Sequence, residues 1–306
     1  MIIPEKLKLG DTIGVVAPSD PVIGDNIEEI KMAKEILEND GFKVEFSKNL
    51  FSNTNGYSAT AKEKAEDINE MFSRKDIKMI WCTKGGENSN SVFDYLDFDI
   101  IKANPKIICG YSDITSLTNI ISQKTDLVTF SSTNFKTIAT DETDYSYKEV
   151  INRFVNKSLE FGREESGYKT IKEGIAEGEL IGGNLTLTSR LVCGKYKIDF
   201  TGKILFLEEL GLESDPAACS RELYFMKQNG VFDKIHGLWI GNYEHESSVS
   251  IEKIIIDTLE GQYNFPIIKS NNFGHIETKT VIPIGSKAKI DTSNDIKIEL
   301  LGDCIK

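Results

Sequence analysis

Apolar positions along the first half of the chain switch repeatedly between two periods. "TIGVVAP" is a short β-branched run closed by Pro18. "NIEEIKMAKEILENDG" follows, with Ile27, Ile30, Ala33, Ile36 and Leu37 at helical spacing and Gly41 as a stop signal. "KVEFS" then predicts a strand, "ATAKEKAEDINEMFSR" a helix and "IKMIWCT" a buried strand. After the polar loop "KGGENSNS", the stretch "VFDYL" predicts a short helix, and "KIICG", "DITSLTNIISQ" and "LVTFS" continue as strand, helix and strand. Strands separated by helices require right-handed crossovers and give a mostly parallel sheet. Ligands on such sheets sit beyond the carboxyl ends of the strands, where "CTKGGENSN" and "CGYSD" both lie.

From Ser131 to about Gly174 the pattern dissolves into polar, irregular sequence. A lid-like loop, one helix near Tyr147 to Val155 and a linker are expected there. A second domain then begins at "GELIGGNLTLTSRLVCG". "KILFLEEL", "GLWIGN" and "FPIIKS" predict strands, and "SIEKIIIDTLEG" predicts a helix. "SDPAACSRELYFMKQNG" opens a helix with Asp215 as N-cap and Pro216 at the first helical position. "TVIPIGSKAKIDTSNDIKIEL" closes the chain as short strands. The expected fold class is α/β. An N-terminal, mostly parallel sheet flanked by helices fills residues 1–160, residues 161–176 link, and a smaller β-rich mixed domain fills residues 177–306.

The 306-residue length suits two domains, and 40% hydrophobic content is ordinary for a folded protein. A formal charge of -12 argues against a nucleic-acid partner, which calls for excess Lys and Arg. The five cysteines lack CxxC spacing and read as reduced thiols. Glu5, Lys6 and Lys8 interrupt the N-terminus, so no signal peptide is expected. No apolar run approaches the roughly 20 residues a bilayer crossing needs. A soluble, cytoplasmic protein is expected.

Ser112 stands on the bend between a buried strand and a helix. As a nucleophile it would need an activating base. The chain has three histidines, His236, His245 and His275. His236 precedes a strand and reads as structural, and His245 reads as a solvated loop residue. His275 follows Gly274 on a loop between two strands. Glu208 and Glu209 end the apolar strand "ILFL", where carboxylates call for a partner. Gly85 and Gly86, with the backbone amide of Asp113, could face a developing oxyanion. "GYSDI" departs from the G-x-S-x-G elbow because Ile114 stands at the second glycine. The absence of GxxxxGK[ST], HExxH, Cys/His clusters and an early GxGxxG disfavours metal and dinucleotide enzymes.

Six stretches occur in a familiar order: "LKLGDTIGVVAPS", "KGGENSNSVFDYLD", "GYSDITSL", "GGNLTLTSRLVCG", "KILFLEELG" and "FGHIETKTVIPIG". Together they resemble the LD-carboxypeptidase family of serine peptidases over nearly the whole chain. The resemblance implies a Ser-Glu-His triad of Ser112 from the first domain with Glu208 and His275 from the second; Glu209 is the alternative acid. It implies an oxyanion hole of backbone amides, Gly86 of the Gly85-Gly86 pair and Asp113. Gly85, Asn88, Ser89, Asn90 and Asn184 are expected substrate contacts. No cofactor or metal is expected, nor a nucleic-acid or membrane partner; a homodimer is expected from family likeness.

The family has two activities. One branch trims D-alanine from murein tetrapeptides; the other, the microcin C self-immunity branch, cuts a peptidyl-adenylate amide. "GGENSNS" is similar to the second branch. The segment from Ser131 to Tyr147 points the same way: it carries Phe135, Tyr145 and Tyr147 against one cation, Lys136. Arg190 or Arg221 entering the pocket would favour a free carboxylate instead. One departure is Thr133, where the family tends to have Gly-Pro. A non-catalytic protein that sequesters a toxic peptide, and an inert α/β scaffold or sugar-binding protein, are the rival readings.

Overall fold

The computed structural model describes residues 1–162, 167–243 and 249–306. In chain order the elements are β1 (Thr12–Val16), α1 (Asn26–Asn39), β2 (Lys43–Phe46), α2 (Ala61–Ser73), β3 (Ile77–Cys82), α3 (Phe98–Ala103) and β4 (Ile107–Gly110). Next come α4 (Ile114–Thr125), β5 (Thr129–Ser131), α5 (Tyr145–Phe154), β6 (Lys169–Lys172), β7 (Ile175–Asn184), α6 (Leu185–Ser189) and β8 (Ile204–Glu209). The last are α7 (Pro216–Gln228), β9 (Gly237–Tyr243), α8 (Ile251–Leu259), β10 (Ile267–Lys269), β11 (Ile282–Ile284), β12 (Lys287–Asp291) and β13 (Ile298–Leu300). The fold is α/β, with a mostly parallel N-terminal sheet and a mixed C-terminal one.

The first unit comprises Met1–Ser158, Val281–Gly285 and Asp303–Lys306. Its sheet has the order β11-β5-β4-β3-β1-β2, parallel except for β11. All five residues of β1 are buried, as expected for a strand covered on both faces. Helix α2 starts at a capping box, in which Thr60 and Glu63 satisfy each other's backbone donors. The strand order reverses between β1 and β3, so the loops after those two strands flank the crevice where such sheets bind ligands. The return of the chain as β11 has a physical anchor in Arg153 of α5. This buried guanidinium donates to the carbonyls of Ser158 and Val281 and to Sγ of Cys304, joining three distant segments.

The second unit comprises Leu159–Thr280 and Ser286–Gly302. Its sheet runs β13-β12-β7-β8-β9-β10-β6, with β7 to β10 parallel and both edges antiparallel. Asp215 caps α7 by accepting from Ala217 N at 2.9 Å, with Pro216 just inside the helix.

Three local expectations need correction. The short helix expected at "VFDYL" is displaced: a single 3₁₀ turn covers Ser89–Val92, and the α-helix is α3, capped by Asp97 on Ile100 N. The stretch expected to be irregular contains β6, an edge strand with no buried residue and so no apolar signal. Phe135 is no lid residue. It is fully buried and packs edge-on against Trp81, with ring centroids 5.7 Å apart. Among the described residues no helix is long and apolar enough to cross a membrane, and all five cysteines are free.

Candidate active site

Strand β4 ends at Gly110, and two residues later Ser112 adopts φ +64° before α4 begins. A left-handed serine costs about 1–3 kcal/mol, and such strain collects at functional positions. The turn is held on both sides. Ser112 O accepts from Thr115 N at 2.9 Å, and Asn134 Oδ1 accepts from Tyr111 N at 3.1 Å. A Cβ on Gly110 would lie 2.8 Å from Ile114 Cγ2 and 2.9 Å from Asn134 Oδ1, so only glycine fits there. Ile114 packs over that glycine, which explains why this bend needs its first glycine and not a second.

The loop after β3 runs beside the serine. A Cβ on Gly85 would sit 2.9 Å from Ser112 Oγ and 3.4 Å from Asp113 N. The Gly85 backbone therefore lies against both the hydroxyl and the first amide behind it. Gly86 has φ +150°, and any side chain there would collide with the Asp20 carboxylate. The positive end of α4 stands directly behind Ser112, where it favours negative charge.

The second unit carries a histidine–carboxylate pair. His275 Nδ1 lies 2.7 Å from Glu208 Oε2, with both side chains largely buried. The His275 loop is pinned by the ring before it. Phe273 packs edge-on against Trp239 at 4.7 Å and Phe206 at 5.7 Å. Gly274, at φ +131°, lets that loop pass the end of β9, where a Cβ would lie 2.9 Å from Asn242 Cβ. With Nδ1 donating to a carboxylate, Nε2 of the neutral ring is its basic nitrogen.

Glu208 and Glu209 are both buried, at 4% and 1% exposure, yet they serve different partners. Successive strand residues point to opposite faces, and the pairing register with β9 shifts between Leu207 and Glu209. Glu209 Oε1 accepts from Asn184 Nδ2 at 2.5 Å, and its Oε2 accepts from Thr186 N at 2.9 Å and Thr186 Oγ1 at 2.7 Å. Burial nevertheless pushes the Glu209 carboxyl above its ordinary pKa, against the pull of those bonds.

Residues 13–132 match the LD-carboxypeptidase N-terminal domain and residues 177–290 match the LD-carboxypeptidase C-terminal domain. The chain belongs to the LD-carboxypeptidase family. It is a hydrolase of the serine-peptidase class. The "Probable murein peptide carboxypeptidase" of Bacillus subtilis is 32% identical, covering 95% of this chain and 92% of the relative. The "Microcin C7 self-immunity protein MccF" of Escherichia coli is also 32% identical, covering 94% of this chain and 92% of that protein. The crystal structure of an MccF-like protein from Bacillus anthracis superposes with a TM-score of 0.89 at 31% identity, covering 99% of this chain and 100% of that one. MccF in complex with aspartyl sulfamoyl adenosine gives 0.87 at 27% identity, with full coverage of both chains.

The other residues singled out in the sequence have the following surroundings. Asn184 caps α6 on Leu187 N and donates to Glu209, so it helps hold the turn after β7. Ser89 is buried and bonded to Asp113, while Asn88 accepts from Lys64 and Asn90 is exposed. His236 Nδ1 lies 3.1 Å from Glu177 O; His245 lies outside the described residues. Lys136 donates to Asn26 and pairs with Glu29, Tyr147 donates to Asp40, and Arg221 pairs with Glu222. Arg190 is exposed. Thr133 is buried; its carbonyl accepts from Trp81 Nε1 at 2.8 Å, and its hydroxyl has no hydrogen-bond partner among the described residues.

Sequence reasoning missed Ser19, Lys64 and the side chain of Asp113. A signal existed for Lys64, which sits on the buried stripe of α2 with Ala65, Ile68, Met71 and Phe72. Burial pulls the Lys64 pKa down from 10.5 to about 8, opposed by the carboxylates of Asp113 and Asp20. The folded chain thus gives up this proton before the unfolded chain does. Between those two pH values the unfolded state binds more protons, so this group makes stability rise with pH. Wild-type stability relative to Lys64→Met is therefore expected to grow by about 1 kcal/mol or more from pH 7.5 to pH 10. Urea denaturation at the two pH values measures the difference, and a flat difference refutes it.

Proposed function

We propose that this chain hydrolyses an amide by nucleophilic catalysis. Ser112 attacks the carbonyl, His275 takes the Ser112 proton and delivers it to the leaving amine, and Glu208 orients His275 and stabilises its charged form. The amides of Gly86 and Asp113 receive the oxyanion. The observation that carries this reading is the strained position of Ser112 between β4 and α4, with the Gly85 backbone against its hydroxyl. The 2.7 Å pair of His275 and Glu208 supports it with a preset base. Asn88 and Asn90 enter the proposal as substrate contacts, while Ser89 and Asn184, both buried, enter it by holding the loops in which they stand. The cytoplasmic location and the homodimer enter it by family likeness.

The proposed substrate is a peptidyl-adenylate amide of the microcin C kind, whose cleavage would confer immunity. Two things support it: the likeness of "GGENSNS" to that branch, and the full-length similarity to MccF, whose structure is known in complex with aspartyl sulfamoyl adenosine. The aromatic count in the segment from Ser131 to Tyr147 no longer adds support, because Phe135 is a core residue. The second reading is a murein tetrapeptide, favoured by the equally similar Bacillus subtilis relative. Mass spectrometry of products from an aspartyl-adenylate amide and from a murein tetrapeptide decides between them. The first is expected to be turned over at least about ten-fold faster; since each factor of ten in rate is about 1.4 kcal/mol, the reverse ratio selects the murein reading. A purely sequestering protein would cut neither.

A further inference from the structure

The Asp113 carboxylate does not do what its position predicts. An aspartate at the head of a helix ordinarily caps an amide of its own first turn. Asp113 stands at the head of α4 and makes no such bond. It is 1% exposed and reaches into two other loops. Its Oδ2 accepts from Ser19 Oγ, in the loop after β1, and from Ser89 N at 2.7 Å, in the loop after β3. Ser89 Oγ donates back to Asp113 O at 2.7 Å. Lys64 of α2, 2% exposed, grips the same loop, with Nζ donating to Asn88 Oδ1 at 2.9 Å and to Asn88 O at 3.1 Å.

Three segments thus meet at one carboxylate next to Ser112. The arrangement carries a cost, because Asp113 Oδ1 is buried with no hydrogen-bond partner among the described residues. An aspartate capping at the surface would avoid burying that acceptor. Gly85 and Gly86 have the greatest backbone freedom of any residue pair. Oxyanion donors, however, must stand about 2.7–3.1 Å from the reacting oxygen. A free glycine loop does not keep that tolerance unaided, and bonds to a charged acceptor are the stronger kind with which to hold it.

We propose that the Asp113 side chain is a positioning residue that sets the Gly85-Gly86 backbone at the spacing from Ser112, and from its own amide, that an oxyanion hole requires. Lys64 supplies the second tether through Asn88. The inference rests on the reading of Ser112 as nucleophile. Asp113 then has two separate parts, an amide that meets the oxyanion and a carboxylate that places the other donor.

The test is the rate at which a fluorophosphonate modifies Ser112, followed by intact mass, since the phosphonyl oxygen uses the same donors. Asp113→Ala keeps the amide and loses the clamp, so phosphonylation is expected to slow by about 10²–10³-fold. In Asp113→Asn the amide oxygen can accept from both Ser19 Oγ and Ser89 N, and it is expected to recover at least about ten-fold of that loss. A merely structural role lowers the folded fraction and leaves the rate constant of folded molecules unchanged. Wild-type rates in Asp113→Ala, or equal slowing in both variants, overturn the clamp. Should Asp113→Ala not fold, Ser19→Ala removes one donor alone; about ten-fold slowing supports the proposal and no slowing overturns it. Failure of the wild type to be labelled at Ser112 refutes the nucleophile reading instead, so the two failures are distinct.

Discussion

Ser112→Ala is expected to lower turnover by about 10⁴-fold or more while leaving the fold intact. Members of a nucleophile–base–acid set act as a unit, so removing the attacking atom leaves only binding and oxyanion stabilisation. The Ser112 hydroxyl contributes little to stability, because the side chain is half-exposed and the bend is held by backbone and by Asn134. Alanine also tolerates the left-handed conformation poorly, as serine does, so the strain stays about the same. Turnover and thermal unfolding on the same preparations check both halves. Near-normal turnover would reduce Ser112 to a turn residue and end the peptidase mechanism proposed above.

Much of this was legible in the chain because the signals are local. A buried strand, a glycine, a serine and a helix in direct succession mark the bend at Ser112 wherever the remaining elements fall. The alternation of strand and helix periods likewise carries the parallel sheet of the first unit. What was not legible depends on contacts between distant segments. The β11 strand is three residues long and joins a sheet whose other strands lie more than 140 residues earlier. Phe135 sits among polar neighbours, and only packing against Trp81 and Phe46 reveals it as core. The Asp113 carboxylate reads as a helix cap by position, and its bonds to Ser19 and Ser89 require three loops to meet. The choice between Glu208 and Glu209 is the sharpest case. Both end the same apolar strand, and only the side each one faces separates them.

That separation gives the second large effect. Glu208→Gln is expected to lower turnover by about 10³–10⁴-fold, whereas Glu209→Gln is expected to keep turnover per folded molecule within about ten-fold of wild type. Glutamine has nearly the shape of glutamate but can present an N–H to His275 Nδ1. That nitrogen would then accept, the ring proton would move to Nε2, and the base could no longer take a proton from serine. At Glu209 the harm falls on the fold. Its oxygens accept from Asn184, from Thr186 twice and from Leu210 N. A glutamine there turns an N–H₂ towards a donor, at about 1–3 kcal/mol. Part of this is offset, because burial already disfavours the Glu209 charge. The pair of variants is therefore expected to split cleanly, one losing rate and the other losing stability. Measured kcat and urea midpoints on both proteins test the split, and a Glu209→Gln enzyme as slow as Glu208→Gln would transfer the acid role to Glu209.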